Sequence, residues 1–264
     1  MNRMIFIGGM GRSGTHYLGR ILGEHPDVKL RLESNFTFWS ITNHVAFNER
    51  ANRARFWIAA AYLKLLASFN SRAICEKTHP SIWVKHKLDR LLPQAMWLCV
   101  IRDPYQAVAS MKKHRGVQKW YDRLPQDTIN PFLGINAENR RGFQHLTLVE
   151  KGAYKWLSHM NQMDKIHRNA PDQVLLINFD DLVNDQKATL GTVFQFLSLD
   201  PVSPIEQGES STLEKKKSLS EKECWAISSI LLAGNRGEWA KFNPYSSHLE
   251  EKTQTIEAPG SIHS

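Results

Sequence analysis

The sequence predicts an α/β protein: a three-layer fold of the P-loop type, with a parallel sheet flanked by helices on both faces. Three observations carry this expectation. Short, continuously apolar runs of strand length, such as Met4–Ile7, Met96–Ile101 and Val174–Phe179, alternate with longer stretches of helical periodicity. The first run empties into Gly8-Gly9-Met10-Gly11-Arg12-Ser13-Gly14-Thr15-His16, a glycine-rich turn that opens onto a helix. Finally, Arg12, Glu33, Lys77 and Arg102 each fall just after a candidate strand. Parallel sheets bind ligands beyond that end of their strands.

Each element follows from local signals. Strand Met4–Gly8 leads through the glycine turn to a helix from Thr15 to Glu24, which His25-Pro26 stops. Val28–Leu32 reads as a short strand delivering Glu33, and a polar loop then reaches a helix over Arg50–Phe69. Ala73-Ile74-Cys75 is a further strand, followed directly by Glu76-Lys77-Thr78. Trp83–Leu92 reads as a helix closed by Pro93. Met96–Ile101 is a buried strand ending in Arg102-Asp103-Pro104, where the next helix starts. Residues Gly116–Gly142 read as a polar, irregular segment, long enough for a lid or a substrate-binding insertion. A helix over Leu146–Asn169, the strand Val174–Phe179 and an amphipathic Ala188–Leu197 complete the pattern. The expectation is a single domain over residues 1–250 and a frayed polar tail over 251–264. Gln207–Lys222, rich in Ser, Glu and Lys, reads as a mobile loop.

Composition narrows the class. Of 264 residues, 42% are hydrophobic and 23% charged, as in ordinary globular proteins. No apolar run reaches the ~20 residues that span a bilayer, and Met4–Ile7 is too short for a secretory leader. Cys75, Cys99 and Cys224 are widely spaced and odd in number, which predicts free thiols in a reducing compartment and hence a cytoplasmic protein. The net charge of +8 suits any polyanionic ligand. The basic residues are spread along the chain without a zinc-finger or RNA-binding signature, so small phosphorylated ligands or an acidic substrate are expected rather than nucleic acid.

Gly9 and Gly14 have the spacing of a Walker A loop, yet Thr15 stands at the Walker lysine and His16 at the magnesium-binding hydroxyl. The loop is therefore expected to hold phosphate without the two side chains that manage a metal-bound triphosphate. Gly11, Arg12, Ser13, Gly14, Thr15 and His16 are its candidate binding residues. Arg12 brings a guanidinium that can fork across phosphate oxygens, while Ser13 and Thr15 bring hydroxyl donors. Arg102 and Ser110 form a second candidate anion site, on a strand-to-helix corner that Asp103 would cap. Histidine spacing offers no metal site; His79, His86 and His114 flank the proposed site, and Trp39 and Trp120 are candidates for an acceptor cleft.

These two sites carry a family resemblance. Ile7-Gly8-Gly9-Met10-Gly11-Arg12-Ser13-Gly14-Thr15 resembles the 5′-phosphosulfate loop of sulfotransferases that use 3′-phosphoadenylyl sulfate (PAPS). Cys99-Val100-Ile101-Arg102-Asp103-Pro104 with Ser110 resembles the 3′-phosphate motif of the same family. The likeness covers Met4–Val117 and, more loosely, Leu175–Leu197. In the N-terminal half it is nearest to protein-tyrosine sulfotransferases, through Arg12–Glu33 with its His25-Pro26-Asp27 turn and through Glu76-Lys77-Thr78-His79. The chain departs from that pattern at Phe179, where a tyrosine is common, and at Pro80, where the proline is displaced. No late Arg-Lys-Gly segment like that of arylsulfotransferases is evident; Lys215–Lys217 is the nearest basic run.

The resemblance implies transfer of a sulfuryl group from PAPS to an acceptor hydroxyl, leaving adenosine 3′,5′-bisphosphate and requiring no metal. It implies Glu33 as catalytic base, with Lys77 and Arg12 neutralising charge on the bridging oxygen; His114 is a substitute base. An acidic, tyrosine-containing peptide is the acceptor it suggests, with sugars, lipids and small alcohols open. Two other classes stay in view: a P-loop kinase or NTPase, and a non-catalytic basic binding protein. Oligomeric state is not legible.

Overall fold

The apolar N-terminal run is the centre of the sheet. In a computed structural model of the chain, residues 3–47, 49–202 and 218–234 are described. Their five strands are all parallel: β1 (Met4–Gly9), β2 (Val28–Leu32), β3 (Ala73–Lys77), β4 (Met96–Ile101) and β5 (Val174–Asn178), in the order β2-β3-β1-β4-β5. Strands as apolar as β1 and β4 must be covered twice, because successive side chains point to opposite faces. Phe6, Ile74, Trp97, Cys99 and Ile101 face one core. Ile5, Ile7, Cys75, Leu98 and Val100 face the other.

Helices cover both cores. The first is sealed by α2 (Asn35–Ala46), α3 (Arg50–Phe69), α5 (Pro104–Lys112), α6 (Arg115–Arg123), α7 (Leu148–Asn169) and α10 (Glu221–Gly234). The second is sealed by α1 (Thr15–Gly23), α8 (Phe179–Asn184) and α9 (Gln186–Leu197). A short α4 (Lys85–Leu88) follows a 3₁₀ segment over His79–Val84. Phe6 lies opposite Trp97 in register, and their rings stack at 4.4 Å in the first core. Burying a side chain of that size stabilises by about 1.5–3 kcal/mol.

The connections decide where a ligand goes. From β1 the chain runs toward the β2 edge, whereas from β4 it runs the other way, to β5. The tops of these adjacent strands therefore diverge and leave a crevice between the loop after β1 and the loop after β4.

Several expected boundaries are corrected. The polar loop expected before Arg50 contains α2. Its buried face is largely Thr37, Ser40, Thr42 and His44, so it shows no apolar period. The expected Trp83–Leu92 helix is a 3₁₀ turn plus one α turn. Asp89 pins that turn by accepting from Lys85 Nζ at 2.6 Å and from Trp97 Nε1 at 3.3 Å, and the chain must then enter β4 within a few residues. The segment expected to be irregular contains α6, whose Val117, Trp120 and Tyr121 form a narrow apolar seam in a charged helix. Strand β3 runs on through Glu76 and Lys77. The readings for Lys215–Lys217 and for the tail 251–264 lie outside the described residues, as does most of Gln207–Lys222.

Candidate functional site

The loop between β1 and α1 is shaped by backbone conformations that side chains rarely adopt. Gly9, Arg12 and Gly14 have φ of 143°, 79° and 94°. At Gly14 no side chain would fit, since a Cβ would lie 2.0 Å from the Phe179 ring. The only positive-φ residues other than glycine among the described ones are Arg12, Glu33 and Ser198. Two of these three are predicted catalytic residues. Strain held in place at such positions is a mark of functional sites.

The loop suits an anion. Gly14 precedes α1 with no side-chain cap, so the first-turn N–H groups stay available. Ser13 is fully buried, and its Oγ has no hydrogen-bond partner among the described residues. An orphaned buried hydroxyl costs about 1–3 kcal/mol, which a bound phosphate oxygen would offset.

The second predicted anion site touches the first. Arg12 Nε donates to Ser110 Oγ at 3.2 Å, and Arg102 Nη1 donates to the Arg12 carbonyl at 3.2 Å. Asp103 caps α5 through Gln106 N at 2.9 Å, as expected, and Gln106 Oε1 in turn accepts from both Nε and Nη2 of Arg102 at 3.1 Å. The Arg102 guanidinium lies 4.7 Å from the centroid of the Phe179 ring. Phe179 thus supports Arg102 and presses on Gly14 at once. Burial lowers the Arg102 pKa, partly opposed by Asp180 and Asp103.

Glu33 gathers the remaining candidates. Its carboxylate accepts a short hydrogen bond from Lys77 Nζ, lies 3.3 Å from His79 Nδ1, and stands 3.5 Å from His16 Nε2. Burial pushes the Glu33 pKa up, but the hydrogen bonds from His79 and Lys77 outweigh it and hold the group at about 2. Burial lowers the Lys77 pKa, against the pull of Glu33, and depresses His79 to about 4. His79 is therefore neutral near pH 7. Because the ionised carboxylate only accepts, the Nδ1 facing it carries the proton and Nε2 is an acceptor. That Nε2 faces Gly11, where a Cβ would lie 3.4 Å away.

A second carboxylate braces this group. Buried Glu76, beside Lys77 on β3, accepts from Thr37 Oγ1 at 2.6 Å, Thr78 Oγ1 at 2.8 Å and Arg31 Nε at 3.0 Å. Burial raises its pKa, and these donors oppose the rise. Arg31 also donates to Ser34 Oγ at 2.8 Å, so β2, β3, α2 and the turn bearing Glu33 are tied together.

Arg12 and the Glu33 cluster open on one cleft of about 330 Å³, within the usual range for small-ligand sites. Gly11, Arg12, Thr15, His16, Glu33 and Lys77 line it. Ser13, Gly14, Arg102 and Ser110 lie outside its lining and join it through Arg12. Sequence reasoning undervalued His79, which lines the cleft with His114, whereas His86 does not. Its signal was its place two residues beyond Lys77. Trp120 lines the cleft too, from a helix rather than a loop, and Trp39 of α2 packs against it at 6.0 Å. Thr42, Phe132 and Lys155 were missed altogether.

Fold and site together describe an α/β protein with a glycine loop shaped like a phosphate cradle and a cleft at the top of β1 and β4. The sequence model of the sulfotransferase family matches residues 4–204, so this chain belongs to the sulfotransferase family. It is 28% identical over 150 residues to the nodulation protein NoeE of Sinorhizobium fredii, covering 47% of this chain and 35% of that protein. It is 23% identical over 211 residues to a Caenorhabditis briggsae protein named "Putative protein-tyrosine sulfotransferase", covering 75% of this chain and 66% of that one. The chain thus spans about a third and about two thirds of the length of these relatives. The sulfotransferase domain of the Synechococcus PCC 7002 olefin synthase shares the fold, with a TM-score of 0.50 and 16% identity over 99% of this chain and 90% of that domain.

Proposed function

We propose that this protein transfers a sulfuryl group from PAPS to an acceptor hydroxyl. The observation that carries the reading is the direct contact between the two anion motifs, Arg12 with Ser110 and Arg102 with the Arg12 carbonyl, beside the Glu33–Lys77–His79 cluster. A donor with two separate phosphate positions needs two such sites and no Walker lysine.

The α1 N-terminus, Ser13, Thr15 and Arg12 hold the 5′ end of the donor, and Arg102 and Ser110 its 3′-phosphate. When bound, the donor supplies an activated sulfuryl group on a phosphate leaving group. Lys77 and Arg12 neutralise charge growing on the single oxygen that bridges sulfur and phosphorus as the acceptor oxygen bonds to sulfur and the bond from sulfur to that bridging oxygen breaks, adenosine 3′,5′-bisphosphate carrying the charge away. Lys77 moves from Glu33 to that oxygen, which returns basicity to the carboxylate. Glu33 then takes the acceptor's proton. A second reading rests on His79: its neutral ring presents Nε2, so His79 takes the proton and Glu33 holds the imidazolium.

A phenolic hydroxyl, as in a peptide tyrosine, suits the aromatic walls of the cleft at Trp120 and Phe132, and the name of the C. briggsae relative is in keeping with it. Calorimetry tests the donor: adenosine 3′,5′-bisphosphate is expected to bind without magnesium. Magnesium-dependent ATP binding in its place would support a kinase or NTPase instead. A salt slope spread over many lysines, with no donor binding, would support a basic binding protein. Comparing Glu33→Gln with His79→Gln in transfer assays, using a screen of tyrosine peptides, oligosaccharides and phenols, separates the two bases.

A further inference from the structure

Lys155 is a buried cation without an anionic partner among the described residues. It lies on α7, is 6% exposed, and lines the same cleft as Glu33, Lys77 and His79. Among the described residues its ammonium meets only aromatic faces, Phe132 at 4.7 Å and Tyr121 at 5.9 Å. The turn at Gly134 presses directly on the α7 backbone at Lys155, where a Cβ would lie 2.4 Å from its amide nitrogen. The lysine's root is therefore fixed. Burial depresses the pKa of both His79 and His159, and the Lys155 charge adds to the fall.

Burying an ammonium without a counterion is costly, and cation–π contacts return only part of that cost. Burial accordingly lowers the Lys155 pKa to about 8, which leaves it largely cationic near neutrality. A second orphan stands on the same cleft: Thr42 on α2 is 1% exposed, and its Oγ1 has no partner among the described residues. The donor phosphates already have Arg12, Arg102, Ser110 and the α1 N-terminus. An ammonium and a hydroxyl left unmatched among the described residues, on a cleft that aromatic side chains also line, call for an anion on the other substrate.

We infer that the acceptor carries a carboxylate, which Lys155 binds in the cleft with help from Thr42. The inference rests on the sulfotransferase reading and names the substrate class of that site. The carboxylate can belong to a small phenolic acid or to an acidic residue beside a peptide tyrosine.

The test uses the full chain saturated with adenosine 3′,5′-bisphosphate. Calorimetry compares 4-hydroxyphenylacetate with 4-hydroxyphenylacetamide, and a Glu-Tyr-Glu peptide with Gln-Tyr-Gln. In at least one pair the acid is expected to bind ten to a hundred times more tightly than the amide, and which pair responds identifies the source. Lys155→Met is expected to erase that preference while leaving affinity for the bisphosphate within about twofold, and Thr42→Val to weaken it by a few fold. Should Lys155→Met fold poorly, the wild-type acid-to-amide ratio and Thr42→Val still decide. Bisphosphate binding with no preference for the acid in either pair, or a preference that survives Lys155→Met, overturns the assignment. Failure of the bisphosphate itself to bind would instead bring down the reading of the donor.

Discussion

Replacing Glu33 by Gln keeps the shape of the side chain and removes the charge that Lys77, His79 and His16 face. Two consequences can be worked out. Transfer is expected to fall by ~10²–10⁴, the usual contribution of a positioned base. Affinity for adenosine 3′,5′-bisphosphate is expected to hold, because Arg12 and Arg102 bind their partners independently of Glu33. Stability changes in a pH-dependent way. The Glu33 pKa falls from 4.5 to about 2 on folding, which at ~1.4 kcal/mol per unit is about 3 kcal/mol. Partial solvent access reduces this to about 1–2 kcal/mol. The folded value lies below the unfolded one, so the contribution is full above the unfolded pKa and disappears as pH falls through the folded one. It has dropped below half by about pH 3. Single-turnover transfer with labelled donor, calorimetry of the bisphosphate, and urea unfolding of both proteins at pH 7 and pH 3 check the three parts. Near-normal turnover would remove Glu33 as base or as orienter of His79. A stability loss equal at both pH values would show that the carboxylate's charge is not what the pocket holds.

Arg102→Ala is expected to weaken bisphosphate affinity by about ten- to a hundredfold, as charge-assisted hydrogen bonds worth about 1.5–3 kcal/mol are lost; unchanged affinity would refute its assignment. Phe179→Ala removes the ring beneath Arg102 and behind Gly14, and is expected to raise the bisphosphate Kd severalfold by calorimetry, with Phe179→Leu intermediate. Gly14→Ala forces a side chain into a φ of 94° against that ring, and is expected to cost about 1–3 kcal/mol in urea unfolding. Asp103→Ala uncaps α5, for a loss of about 1 kcal/mol by the same measurement.

The sheet and the two candidate anion motifs are legible because their signals are local. A continuous apolar run only about four to six residues long, bounded by turn residues, fits a strand covered on both faces better than a helix, and β1, β4 and β5 are of this kind. The glycine loop is legible in the positions where its backbone turns left-handed and only glycine fits, Gly9 and Gly14. α2 was missed for the opposite reason: its buried positions hold Thr37, Ser40 and His44, while Phe36 and Trp39 are exposed. That pattern makes sense only once Glu76 is known to lie underneath and accept from Thr37.

The sequence by itself determined an α/β sheet, a phosphate loop without a Walker lysine and a second basic corner at Arg102. Each of these rests on neighbours within a few residues, where spacing is enough. The tertiary structure alone decided that Arg12 meets Ser110 across 98 residues, that Glu33 commits its charge to Lys77 and His79, and that Lys155 stands buried in the same cleft with no anionic partner among the described residues. Those relations depend on the order in which parallel strands lie side by side. Strand order is settled by the packing of both faces at once rather than by any local run of residues.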